Sequence, residues 1–201
     1  MKSGGRSVRE IPTRIVYWGP RGSGKTETLR AIAAGLDPKS CGPLLTPSDQ
    51  DSRTLFMDLM TVEMGALDGV PVRLHLVGLP GDDRLNENAL AVVRGAHGFV
   101  FVADSAPGRQ EENRSALESL RRHLAAIGQP DRPIVVQFNR RDIAGARSTE
   151  EMVTDLGLDQ AAGQWFETTA LNGSGVMEAL AAVAVRVVDV LSAAAEERSG
   201  T

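Results

Sequence analysis

Short continuous apolar runs alternate along the chain with stretches whose apolar residues recur every three or four positions. Ile15–Trp18, Gly98–Asp104 and Pro133–Phe138 are runs of the kind a strand buried on both faces requires. Leu55–Met64 and Val70–Val77 read as two more strands. They flank Asp68-Gly69, a hairpin turn signal, so this pair is expected to be antiparallel. Trp165–Thr168 reads as a last short strand. Between them lie helical segments at Glu27–Leu36, Asn86–Arg94, Glu111–Ile127, Thr149–Leu156 and Val176–Ala195. The third presents Leu117, Leu120, Leu124 and Ile127 along one side; the last presents Met177, Leu180, Ala184, Val187 and Leu191.

The resulting order, βαββαβαβαβα, predicts an α/β fold. Its sheet is six-stranded and mostly parallel, with one antiparallel edge hairpin and helices on both faces. Residues 1–13 read as a flexible N-terminal tail and 14–197 as a single domain. Two loops stand out: Asp37–Arg53, long, polar and proline-bearing, and Gly78–Arg84, rich in glycine and acid. A connection as long as the first marks a functional loop or disorder. In such sheets ligands sit at the carboxyl ends of the strands, where both loops fall.

Gly19-Pro20-Arg21-Gly22-Ser23-Gly24-Lys25-Thr26 links the first strand to the first helix. This is the G-x-x-x-x-G-K-[ST] pattern in its strand–loop–helix context. Its glycines let successive N–H groups point inward, and the helix N-terminus adds partial positive charge. Lys25 would reach terminal phosphates and Thr26 would set a hydroxyl on magnesium. The only other lysines are Lys2 and Lys39, so the chain otherwise uses arginine for positive charge. Arg21 to Glu27 are therefore expected to hold a nucleoside triphosphate.

Asn139-Arg140-Arg141-Asp142 follows the Pro133–Phe138 run directly. There the Asp142 carboxylate can accept from the N1–H and exocyclic amine of guanine. Adenine would leave it unpaired at a cost of about 1–3 kcal/mol. Arg140 can lay its stem over the base. Thr169-Ala170-Leu171, after the next strand, would offer a backbone N–H to the guanine oxygen.

Composition trims the alternatives. The formal net charge of −4 offers no basic stripe for nucleic acid. The lone Cys41 cannot close an internal disulfide and reads as an inert cytosolic thiol. No apolar run would span a bilayer, the first residues do not resemble a signal peptide, and no lipidation motif stands at either end. A cytoplasmic protein without a membrane anchor is expected. His75 and His97 lack partners at metal spacing and read as structural. Met57, Met60 and Met64 read as packing residues. Arg109, Arg114, Arg121 and Arg122 read as a solvated face of the third helix, with an acidic partner as the other option.

With these motifs in hand, the chain resembles a Ras-superfamily small GTPase over nearly its full length, a P-loop NTPase small G-domain. Gly19-Pro20, Arg53-Thr54-Leu55-Phe56, Leu79-Pro80-Gly81 and Phe101-Val102-Ala103-Asp104-Ser105 resemble the bacterial MglA-type gliding and polarity GTPases. The resemblance implies a magnesium-dependent GTP/GDP switch, a Roadblock-domain partner that stimulates hydrolysis, and effectors that read the switch loops. Thr54 then matches the threonine that senses the γ-phosphate through magnesium, making Thr26 and Thr54 the metal ligands; an ordinary edge-strand threonine is the alternative. Arg53 matches an arginine that could neutralise transition-state charge in cis, an effect worth about 10³–10⁵-fold elsewhere; a surface arginine is the equal alternative. Gly81 matches the glycine whose N–H meets the γ-phosphate.

Three positions depart from that pattern. Gly78 stands where Ras-like proteins usually have a magnesium-associated aspartate, so the metal is expected to rely on Thr26, Thr54, phosphates and water. Asp82 replaces the water-orienting glutamine; an ionised carboxylate only accepts hydrogen bonds and is repelled by phosphate. Arg21 replaces a glycine and could obstruct the γ-phosphate or stabilise its charge. Arg53, Asp82 and Arg21 are the candidate catalytic positions. The expectation is tight nucleotide binding with slow hydrolysis; a pseudo-GTPase scaffold is the alternative. A P-loop kinase or ATPase is disfavoured by Asn139 and Asp142.

Overall fold

The computed structural model describes residues 11–46, 57–67, 70–81, 87–159 and 165–199. In chain order the elements are β1 (Ile11–Trp18), α1 (Lys25–Gly35), β2 (Asp58–Leu67), β3 (Val70–Gly78), α2 (Glu87–Arg94) and β4 (Gly98–Asp104). They continue with α3 (Gln110–Ala126), β5 (Ile134–Asn139), α4 (Thr149–Asp155), β6 (Trp165–Glu167) and α5 (Val176–Ser199). The sheet order is β2-β3-β1-β4-β5-β6. Among these described strands only the β2–β3 pair is antiparallel. This is the α/β architecture expected, with its six strands and one antiparallel edge hairpin.

Alternation along each strand divides the core in two. Val16, Phe99, Phe101 and Phe138 pack under α2, α3 and α4. Ile15, Tyr17, Val100, Val102 and Val135 face the other way, against α1 and α5. Every residue of β4 is buried, as its uninterrupted apolar character requires. β1 lies between β3 and β4, so successive connections leave it towards opposite edges. The carboxyl end of β1 is thus a topological switch point, where open α/β sheets bind ligands.

Several boundaries move. β1 reaches back to Ile11, because Ile11 to Thr13, read as tail, pair with Val72 to Leu74 of β3. Backbone pairing carries that strand beyond its apolar core. The proposed turn Asp68-Gly69 lies outside the described residues. Met60 is core, but Met64 is 43 % exposed. A register shift between Glu63 and Ala66 breaks the alternation that would have turned Met64 inward. The first part of the long Asp37–Arg53 connection runs along the outer edge of β2. There the Gly42 N–H donates to the Thr61 carbonyl at 2.8 Å, and Leu45 and Leu59 exchange bonds at 2.9 Å. It therefore covers a sheet edge that would otherwise stand open. Cys41 lies in this segment, and partial burial pushes its thiol up, away from the reactive thiolate.

His97 is structural: its Nδ1 accepts the Arg14 backbone N–H at 3.0 Å. Burial, then Arg132 and Arg14, lower its pKa and favour the neutral ring. Among the described residues no helix is long and apolar enough to cross a membrane.

Leu180 is 1 % exposed in the α5-side core, whereas Val185, on the same helix, is 60 % exposed. Leu180→Ala should lower the unfolding free energy by about 2–5 kcal/mol, and Val185→Ala by under about 0.5 kcal/mol, both read from urea denaturation. Equal effects would contradict the assigned face of α5.

Candidate functional site

A cavity of about 740 Å³ opens at the carboxyl ends of the strands. One end is lined by Arg21, Gly22, Gly24, Lys25, Thr26 and Glu27, the other by Asn139, Arg140, Asp142, Ala170 and Leu171. Gly78, Leu79, Pro80 and Gly81 form one wall, with Met57 and the first residue of β2, Asp58, beside them. Ser23 and Thr169 are buried behind this lining. Arg53, Thr54 and Asp82 lie outside the described residues.

The loop after β1 is shaped to expose donors. Gly24 caps α1 with φ +99°, and no side chain caps the helix, so the first-turn amides stay open to the cavity. Lys25 is buried. Its Nζ donates to the Gly19 and Pro20 carbonyls at 2.8 and 2.9 Å, which hold the ammonium under the loop. Gly81 packs against the loop backbone: a Cβ there would stand 2.3 Å from the Arg21 nitrogen. Only glycine allows that approach.

The Thr26 hydroxyl donates to Asp58 Oδ2 at 2.6 Å, a short charge-assisted bond. Thr26 and Asp58 are hard oxygen donors suited to magnesium, although phosphate oxygens and water would have to complete its shell. Among the described residues no cluster of three or more His, Cys, Asp or Glu could hold a metal by itself.

Asn139, 2 % exposed, ties the two ends together. Its Nδ2 donates to the Ser23 carbonyl at 2.8 Å, and its Oδ1 accepts the Ala170 N–H at 2.9 Å. The Thr169 N–H goes to the Ser174 carbonyl. Of the expected Thr169-Ala170-Leu171 amides, two are already engaged. A base oxygen would have to share that of Ala170 or take that of Leu171, in the exposed part of the turn. Asp142 is exposed at the cavity edge.

Arg140 is the one non-glycine residue with positive φ among those described, at 66°. Such backbone costs about 1–3 kcal/mol and persists only where the surroundings enforce it. Here Arg140 donates to the Gly22 carbonyl at 2.7 Å and pairs with Asp104 at 3.2 Å. Its stem therefore spans from the end of β5 to the phosphate loop.

Three residues of this arrangement were missed in the sequence. Arg109 is no solvated helix residue: it precedes α3, donates to the Arg21 carbonyl at 2.6 Å and pairs with Asp104 at 3.3 Å. Asp104, 1 % exposed, thus anchors two arginines that brace the loop. Asp58 had a signal, since it shares the inward-facing alternation of Met60 and Val62. A charge at such a position needs a partner.

Compared with known proteins, the chain is 36 % identical over 187 residues to the mutual gliding-motility protein MglA of Myxococcus xanthus (strain DK1622). The match covers 92 % of this chain and 95 % of that protein. The chain belongs to the MglA-type family of Ras-superfamily small GTPases. No family model matches it. Identity at this level across almost the whole of both chains makes the six-stranded sheet of this chain a G-domain sheet, with the cavity at its carboxyl edge.

A Cβ on Gly24 would stand 2.2 Å from Asn139 Nδ2. Gly24→Ala and Asn139→Ala should each destabilise the ligand-free protein by about 1–3 kcal/mol. The double variant should lose at least about 0.5 kcal/mol less than the sum, because Asn139→Ala removes the clash. Additive losses would contradict the contact.

Proposed function

We propose that this chain binds GTP and GDP with magnesium in the cavity described above and acts as a nucleotide-dependent switch. It is a slow GTPase by itself, stimulated by a Roadblock-domain partner. Its G-domain, residues 14–197 with β1 reaching back to Ile11, would work in the cytoplasm, in cell-polarity or motility regulation. The observation that carries the reading is one cavity joining a lysine-bearing phosphate loop to the strand-end Asn139 and Asp142.

In this reading the α1 amides and Lys25 bind the phosphates, and Asp142 selects guanine by accepting from its N1–H and amine. Arg140 covers a base face, while Asn139 holds the base end at a constant distance from the phosphate end. Magnesium, held by Thr26 and Thr54, would neutralise charge on the β- and γ-phosphates. The Gly81 amide and Thr54 would respond to the γ-phosphate, and the loops that contain them would present the effector surface. Arg53 would stabilise transition-state charge. Asp82, unable to donate to water as glutamine does, would keep the unassisted rate low.

The second reading is a nucleotide-binding scaffold that scarcely turns over. Arg21 favours it, because its residue lines the phosphate end of the cavity where the pattern has glycine.

Asp142→Asn should move preference from guanine to xanthine nucleotides, as competition against a fluorescent guanine nucleotide would register. Unchanged preference would remove Asp142 from the base site. Single-turnover hydrolysis should be slow alone and rise by about 10³-fold or more with the Roadblock partner. Fast hydrolysis without a partner would contradict the slow-switch reading, and no stimulation by the partner would favour the scaffold. Arg21→Gly should raise the rate if the guanidinium obstructs, and lower it if the guanidinium stabilises charge.

A further inference from the structure

Gly78 and Asp58 face each other across the β2–β3 pair, in register. A side chain at position 78 would be tightly placed: its Cβ would stand 3.0 Å from Asp58 Oδ2 and 3.1 Å from Leu29 Cδ1. The Asp58 carboxylate occupies that volume, arriving from the neighbouring strand. It is buried, 8 % exposed, and accepts the Thr26 hydroxyl proton at 2.6 Å.

A hydroxyl has one proton and two lone pairs. To coordinate a cation through a lone pair it must give its proton to another acceptor. Asp58 fills that need, and a bond this short fixes the rotation of the hydroxyl. Among the described residues, Asp58 is the only partner recorded for the Thr26 side chain. A buried carboxylate beside an otherwise neutral hydroxyl would be costly unless positive charge came near it. A cation in the adjoining cavity would supply that charge.

We infer that Asp58 is the outer carboxylate of the cation site, supplied from β2 opposite a position of β3 that carries no side chain. It is a positioning residue: it turns a Thr26 lone pair into the cavity, draws the hydroxyl proton away and adds negative charge near the cation. Outer-shell partners of this kind change metal affinity by about 10–100-fold when removed. The inference rests on the nucleotide–magnesium reading above and adds a residue that the motifs do not contain. It also gives Gly78 a reason, since the absence of a side chain there makes room for the carboxylate of its cross-strand neighbour.

The test measures nucleotide release instead of hydrolysis. The full chain is loaded with GDP carrying an N-methylanthraniloyl fluorophore, and release is timed against excess unlabelled GDP over a range of free magnesium. Wild type, Asp58→Asn and Asp58→Ala are compared, each also in EDTA. Asp58→Ala should need about 10–100-fold more magnesium to slow release to half, with an unaltered rate in EDTA. Asp58→Asn, which keeps an acceptor but no charge, should fall between the two.

Identical magnesium dependence in all three proteins would overturn the inference. So would equal acceleration with and without magnesium, which would make Asp58 a packing residue only. Should Asp58→Ala not fold, Asp58→Asn decides by the same criteria. If wild type holds no labelled GDP, or releases it without regard to magnesium, the nucleotide–magnesium reading falls and takes this inference with it. A magnesium-dependent wild type with indifferent variants removes Asp58 alone.

Discussion

Three loops that begin at the ends of three strands must keep fixed distances for the cavity to exist, and a buried amide sets those distances. Asn139 donates to the loop after β1 through the Ser23 carbonyl and accepts from the turn after β6 through the Ala170 N–H. Both bonds lie away from water, where an unmade one costs about 1–3 kcal/mol. Gly24 must lack a side chain for the amide to lie where it does. The two ends of the cavity are thereby tied into one unit, their spacing set by these bonds.

Around that unit the positive charge is restrained. Arg109 and Arg140 both converge on Asp104 and both reach a carbonyl of the phosphate loop, one at Arg21 and one at Gly22. The bridge holds the loop from its outer side, while Lys25 holds it from beneath through Gly19 and Pro20. Carbonyls tied back in this way leave the amides to face the cavity. On the opposite side Gly81 rests on the same backbone. Any movement of that wall would therefore press on the loop directly.

Much of this could be read from the sequence because its determinants are local. An apolar run bounded by glycine and asparagine names a buried strand. A lysine after a glycine-rich turn names the helix that follows. What could not be read depends on register between distant segments. Asp58 is decisive only because β2 pairs with β3 so that it stands opposite Gly78, 20 residues further on. The period-two alternation with Met60 and Val62 did announce that it faces inward. Arg109 was misread because helix periodicity describes residues within α3, whereas Arg109 sits just before it and reaches back 88 residues to Arg21. Met64 failed for the same kind of reason: a register shift interrupts the alternation that would have buried it. Arg53, Thr54 and Asp82 lie outside the described residues, so their roles rest on the family pattern alone.

In the proposed reading the amides of this loop and Lys25 cradle a polyphosphate while Asp142 selects the purine. Isothermal titration calorimetry of the purified chain with magnesium tests it most directly, using GDP, GTP and ATP in turn. One saturable site is expected for GDP and for GTP, with no comparable heat from ATP. Absence of heat with both guanine nucleotides, or equal binding of ATP, would contradict it.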